Sequence, residues 1–220
     1  MDYDDVERYV EATAPEPDAL AREMDEYARE MGFPHVGPAV GATLRMLARM
    51  ADAERVFEFG SGFGYSAYWW AQALPEDGEV VLTEFDADEL DDAREFMTRA
   101  GFDDVARYEH GDAMEAIERY DGPFDAVLVD HQKEKYAEAF HAVRDKVAPG
   151  GVVVADNTLS AGIISFDDLF AHFADDAALD DASDATKGIA EYLHTVRDDD
   201  AFETIVLPLG EGIAVSYRVN

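Results

Sequence analysis

Three ionisable residues crowd the end of one apolar run. In "FDAVLVDHQKEKY" (124–136), Val127, Leu128 and Val129 predict a core strand, and Asp130, His131 and Lys133 follow with no turn residue between. Twenty-six residues after Asp130, "GGVVVADNTLSAG" (150–162) presents a second apolar run, ending in Asp156 and Asn157. If the two runs are neighbouring parallel strands, Asp130 and Asp156 emerge at the same edge. Two carboxylates and an amide oxygen make a hard, oxygen-only site, which suits Mg²⁺ better than zinc. The alternative is that each aspartate only caps the loop or helix that follows it.

A second constellation lies upstream. "RVFEFGSGFGYSA" (55–67) reads strand, glycine loop, helix, and Gly60, Gly62 and Gly64 would let the backbone turn sharply against a ligand. Tyr65 stands where a dinucleotide fingerprint has its third glycine, and Glu58 precedes the loop; both point away from NAD. The next strand ends "VVLTEFD", which puts Glu84 where an acidic residue reaches ribose hydroxyls. In "HGDAMEAI", Asp112 precedes a short helix and serves either a ligand or as an N-cap. Three such residues at three successive strand ends converge on the crevice where open α/β sheets bind ligands.

The elements that must hold these residues alternate regularly from Arg55 onward. Apolar runs at 55–59, 80–83, 124–129 and 151–155 alternate with helical segments near 64–74, 87–100 and 134–147. Tyr136, Phe140, Val143 and Val147 form the apolar stripe of the last helix, and a weaker strand (105–110) and a short helix (113–119) fill the gap. This pattern predicts a mostly parallel sheet covered on both faces. "FETIVLPLGEGIAVSYRVN" predicts an antiparallel hairpin around Gly210–Gly212 that closes one edge. Between them the region 161–200 is ambiguous: "FADDAALDDASDATKG" (173–188) is loop-like and acidic, and "IAEYLHTVRDDD" reads as a helix. Within it, 175–184 is either a lid or, the favoured reading, a solvated loop. Residues 1–50 form a helical arm, broken at "TAPEPDAL", with Pro15 and Pro17 at the start of its second helix. Val40, Leu44 and Leu47 would face either the core domain at 51–220 or a second subunit. No internal repeat is visible.

The glycine loop with its leading acid resembles motif I of the class I S-adenosylmethionine-dependent methyltransferases. With Asp130-His131-Gln132-Lys133, Tyr136 and "PGGVVVADN" added, the chain from Gly37 onward resembles the metal-dependent small-molecule O-methyltransferases, the catechol and caffeoyl-CoA types. The Asp-His-x-Lys form is closer to the catechol type. That resemblance implies a Rossmann-like class I methyltransferase fold, α/β, with a seven-stranded sheet in the order 3-2-1-4-5-7-6. It implies that Asp130, Asp156 and Asn157 bind a divalent metal and that Lys133 is the general base. For the S-adenosylmethionine site it implies Glu58, Gly60, Gly62, Tyr65, Ser66 and Glu84 from the first half of the sheet. Gly111, Asp112, Ala113, Asp130 and His131 complete that site, with His131 either on the adenine ring or filling space. The reaction implied is methyl transfer to a hydroxyl of a catechol-like acceptor. A divalent cation beside Lys133 would favour its neutral amine, which can accept the acceptor's proton. Two family features are replaced: Ser160 stands where many relatives carry Trp, and Gln132 where the catechol type often does.

Composition limits the partners. The chain has 220 residues, no cysteine, and no apolar run near the roughly 18–20 residues that span a bilayer. Its N-terminus is acidic, unlike a signal peptide, which predicts a cytoplasmic protein. Fifty acidic residues against 17 basic ones give a net charge of −33. With 48% hydrophobic residues, this charge belongs to the surface of a folded, halophile-type domain rather than to a disordered chain. At low ionic strength such a surface repels nucleic acid, an objection that weakens in molar salt. It argues against, without removing, the alternative of tRNA hydroxyuridine methylation carried out by some relatives. A small hydroxylated acceptor is the expected partner, with a homodimer through residues 1–50. A non-catalytic binding subunit of the same fold is the remaining alternative.

Overall fold

The computed structural model describes residues 3–220. Seven strands form one sheet: β1 (Arg55–Phe59), β2 (Glu79–Glu84), β3 (Ala106–His110), β4 (Phe124–Val129), β5 (Val147–Ala155), β6 (Phe202–Leu207) and β7 (Ile213–Arg218). Their order is β3-β2-β1-β4-β5-β7-β6. The first five run parallel, and β7 is antiparallel to both β5 and β6. This is the order and hairpin the resemblance implies, in a Rossmann-like α/β fold. Central strands buried on both faces need continuous Val, Leu and Phe, and Phe57, Val81, Leu82, Val127, Leu128, Val153 and Val154 are fully buried.

Side chains alternate across the sheet, so each face has its own core. One gathers Val56, Leu82, Leu128 and Val154 beneath α2 (Ala19–Met31), α3 (Gly37–Met50), α4 (Tyr65–Ala71) and α5 (Ala87–Ala100). The other gathers Phe57, Val127, Val153 and Ala155 beneath α6 (Ala113–Ile117), α7 (Tyr136–Val143), α8 (Phe166–Asp175) and α9 (Asp184–Arg197). A first helix, α1 (Tyr3–Thr13), precedes these. Among the described residues no helix is long and apolar enough to cross a membrane.

The arm turns its apolar face onto its own sheet. Met24, Ala28, Val40 and Leu44 are buried in the same core as Trp69 and Trp70. At Gly41 a Cβ would lie 2.3 Å from the Trp69 indole, so a side chain there would hold α3 off the sheet. Pro15 and Pro17 precede α2 instead of opening it. Asp18 is the N-cap, accepting from the Ala21 amide at 2.9 Å.

Two stretches differ from the pattern read in the sequence. The helix expected over 134–147 is a 3-10 turn (Lys133–Lys135), α7 and a second 3-10 turn (Arg144–Lys146), and β5 begins at Val147. The wide stripe of Tyr136, Phe140 and Val143 carries the middle, while Val147 is already a strand residue pairing with Phe124. In the acidic region, Phe166, Leu169, Phe170 and Phe173 sit at helical spacing and form α8, capped by Ser165. The loop between α8 and α9 therefore covers 176–183, and Ser183 caps α9 by accepting from the Thr186 amide.

Candidate active site

Strand register brings the chemical residues together. Phe59 pairs with Val129 and with Thr83, and Val129 pairs with Ala155. Gly60, Glu84, Asp130 and Asp156 thus leave adjacent strands at one edge. Backbone hydrogen bonds continue past the strand ends, from Asp130 N to Phe59 O at 2.9 Å and from Asp156 N to Val129 O at 3.2 Å. A cleft of about 950 Å³ opens there, a volume in the range of small-molecule sites. Of the residues expected to bind cofactor or metal or to act as the base, all line it except Glu58.

The glycine loop is shaped by close approach. Gly60 has φ +83, and a Cβ there would sit 2.3 Å from the Asp130 carbonyl oxygen, so no other residue lets β1 and β4 end side by side. Glu58 lies behind the loop, fully buried. Burial pushes its carboxyl up to about 8, against the opposing influence of the Ser66 and Ser61 hydroxyls and the Trp70 indole. None of these reaches full hydrogen-bond geometry with its oxygens.

Glu84 is tied to the loop that it helps to line. It accepts from the amides of Gly62 at 2.9 Å, Phe85 at 2.8 Å and Asp86 at 3.0 Å. Asp112 caps α6 by accepting from Met114 N at 2.8 Å, and this bond, with the Lys135 ammonium at 3.4 Å, holds its carboxyl below the usual range. His131 stacks on Tyr136 at 5.6 Å and 13°, with Phe59 on its flank. Both its ring nitrogens are shut off from solvent without a partner, and burial, with Lys133 and Lys135 nearby, pushes its pKa down to about 4. At neutral pH the ring is therefore uncharged.

Lys133 is the hub of the other end. Its side chain is 11% exposed. Nζ donates to Asp130 Oδ1 at 2.9 Å, to the Tyr136 hydroxyl at 2.8 Å, and to Asn157 Oδ1. The Tyr136 hydroxyl donates in turn to the Asp156 carbonyl at 3.2 Å. Asp156 Oδ1 is buried without a partner, and burial, reinforced by the Asp130 charge, raises its pKa well above a carboxylate's usual value. Asp130 and Asn157 thus share the Lys133 ammonium, and the Asp156 carboxyl emerges at the same strand edge. Among the described residues no group of three or more His, Cys, Asp or Glu side chains could hold a metal, so a metal here needs the Asn157 amide as well.

Several lining residues were not singled out in the sequence. Phe33, Pro34, His35 and Val36 come from the α2–α3 connection, and Glu211 from the β6–β7 turn. His35 packs edge-on against Tyr65 at 4.6 Å and is paired with Asp25 at 2.9 Å. Burial raises the Asp25 pKa, yet hydrogen bonds from Arg29 and His35 outweigh it and hold the carboxyl low. A lone His in "GFPHVGP" carries no local signal of this pairing. Gln132 is exposed at the rim, Ser160 lies off the cleft, and the apolar wall there is Ala161, Ile163, Pro208 and Leu209.

Residues 12–219 match the O-methyltransferase family. The chain belongs to that family. It is 32% identical over 167 residues to a catechol O-methyltransferase of Niastella koreensis, covering 73% of this chain and 75% of that one. Among solved structures, an O-methyltransferase from Bacillus cereus in complex with SAH superposes with a TM-score of 0.81 at 22% identity, covering 97% of this chain and 96% of that one. TomG from Streptomyces achromogenes, in complex with SAM, gives 0.80 at 24% identity, covering 98% and 96%. This O-methyltransferase is a class I, S-adenosylmethionine-dependent enzyme of the catechol and caffeoyl-CoA type. The cleft suits that cofactor: Glu84, Asp112 and Asp130 give it the negative lining a sulfonium favours.

Proposed function

We propose that this O-methyltransferase methylates one hydroxyl of a small, uncharged, catechol-like diol and depends on a divalent cation, Mg²⁺ by the chemistry of its donors. The observation that carries the reading is the convergence of Lys133 Nζ on Asp130 and Asn157, with the partnerless Asp156 Oδ1 beside them. These three residues would hold the cation, as an all-oxygen set suited to a hard ion. When bound, such a cation makes an acceptor hydroxyl more acidic and fixes its place. S-adenosylmethionine supplies a methyl group on a positively charged sulfur.

The chain's own part is orientation and proton transfer. Tyr136 accepts from Lys133 and donates to the Asp156 backbone, which holds Nζ at the strand edge. With a cation bound beside it, Lys133 would be the group that takes the hydroxyl proton. His131 lines the cleft with its uncharged ring stacked on the buried Tyr136, an apolar wall of the kind that favours a reaction in which opposite charges cancel. Lys133 is the only Lys or Arg among the described residues that line the cleft. A polyanionic acceptor such as a coenzyme A ester or tRNA would meet carboxylates with almost nothing to pair its phosphates.

The test is transfer of labelled methyl from S-adenosylmethionine to a panel of catechols in molar salt, with and without EDTA. Activity should vanish with EDTA and return with Mg²⁺; transfer that survives chelation sinks the cation dependence. Lys133→Arg keeps the charge but cannot give up its proton. It should lower kcat by about 10²-fold or more with S-adenosylhomocysteine affinity intact. An unchanged kcat would remove Lys133 from the proton step.

A further inference from the structure

We propose that Glu211 is a positioning residue that fixes the Asn157 side-chain amide with Oδ1 turned toward the cation position. The inference rests on the cation-dependent reading above. An Asn amide has two faces of opposite character, an oxygen that accepts and an NH₂ that donates, and a 180° flip exchanges them. Here the two sides are addressed by groups of opposite sign. Asn157 Oδ1 accepts from the Lys133 ammonium, and Asn157 Nδ2 donates to Glu211 Oε2. The flipped amide would set NH₂ against an ammonium and a carbonyl against a carboxylate, losing two charge-assisted bonds at once.

The backbone holds Glu211 to this task. Asn157 sits at φ +56, a left-handed turn that Asn tolerates, so its side chain leaves β5 sideways toward the β6–β7 connection. That connection is clamped to the segment after β5. Leu159 N and Ser160 N both donate to Glu211 O at 3.0 Å, and Thr158 N donates to Gly212 O at 2.9 Å. A Cβ at Gly212 would lie 2.4 Å from Leu159, so only glycine lets the two chains close. Glu211 is therefore set against Asn157 by rigid backbone, although it is itself exposed and 54 residues away in sequence. Partners of this kind, one step out from a metal's ligands, commonly govern about 10–100-fold in metal affinity.

Mn²⁺ binding to the full chain, followed by electron paramagnetic resonance in molar salt, tests this without turnover. Wild type should bind Mn²⁺, and Asp156→Asn should lose it. Glu211→Gln should weaken binding by about tenfold or more, and Glu211→Asp by less. S-adenosylhomocysteine affinity and melting temperature should stay near wild type, which separates positioning from misfolding. In an Asn157→Ala background, Glu211→Gln should have no further effect, because the two act through one bond. An equal loss in both backgrounds means that Glu211 acts by charge alone and overturns the inference. So does Mn²⁺ binding that Glu211→Gln leaves unchanged. Absence of Mn²⁺ binding in the wild type, or full binding by Asp156→Asn, would instead overturn the cation reading and the inference with it.

Discussion

At Glu58 a carboxyl group is sealed beneath the glycine loop with no full hydrogen bond to either oxygen. Its pKa is pushed up to about 8, so at neutral pH the folded chain keeps a proton that the unfolded chain, at about 4.5, releases. The stability this group permits is fully present below the unfolded value. It falls by about 1.4 kcal/mol per pH unit as pH rises through the window from 4.5 to 8. Glu58→Gln keeps the shape and removes the titration. Its melting temperature in molar salt should therefore gain on wild type steadily from pH 5 to pH 8; parallel curves would show that Glu58 is already ionised when folded. The same burial that neutralises Glu58 keeps the His131 ring uncharged. From the sequence, Glu58 read as a residue of the cofactor site; it lies behind that site, beneath the loop. Spacing gives a residue's distance along a strand but not the depth at which its side chain ends.

The element that carries the proposed base is a single 3-10 turn, Lys133–Lys135, and a helix distant in sequence holds it in place. α9 packs its Gly188 directly on that turn. A Cβ at Gly188 would lie 2.5 Å from the Lys133 carbonyl oxygen and 2.6 Å from Glu134 Cα. Both neighbours are backbone, so Gly188→Ala must push the turn outward, at a cost of about 1–3 kcal/mol for overpacking. We expect a lower melting temperature together with a fall in kcat larger than the change in S-adenosylhomocysteine affinity, because the glycine loop is on β1. Equal losses in both would mean that the strain spreads through the sheet. Nothing around "ATKGIAEYL" marks this glycine, which reads as a loop residue until α9 is docked. The strands were legible for the opposite reason: a buried parallel strand needs an unbroken apolar run, and that is a local signal. α8 was obscured because acids fill its solvent face and dilute the period that its phenylalanines keep.

For the whole molecule, the net charge sets an expectation about the conditions under which the chain stays folded. With a net charge of −33, self-repulsion acts over about 30 Å in 0.01 M salt and over only about 3 Å at 1 M. The melting temperature should therefore climb between millimolar and molar salt, and structure should be lost on desalting; a melting temperature indifferent to salt would refute this. Many of the few cations are paired at the surface, as Arg29 with Asp25, Arg99 with Glu23 and Arg119 with Glu109, contacts that add little individually. The two cores carry the fold instead. The arm contributes to one of them through Met24, Ala28, Val40 and Leu44, which pack on the chain's own sheet.

By itself the sequence determined the parallel sheet, the glycine turn and the presence of an acid or base at successive strand ends. Those are properties of short stretches: apolar runs, φ requirements and residues that follow them. Only the tertiary structure decided which of these groups meet. It set Val129 beside Ala155, and so Asp130 beside Asp156; it closed the β6–β7 turn on Asn157, and it seated Gly188 on the Lys133 turn. Each of these is a contact between residues far apart in the chain, fixed by register and close packing rather than by any local preference.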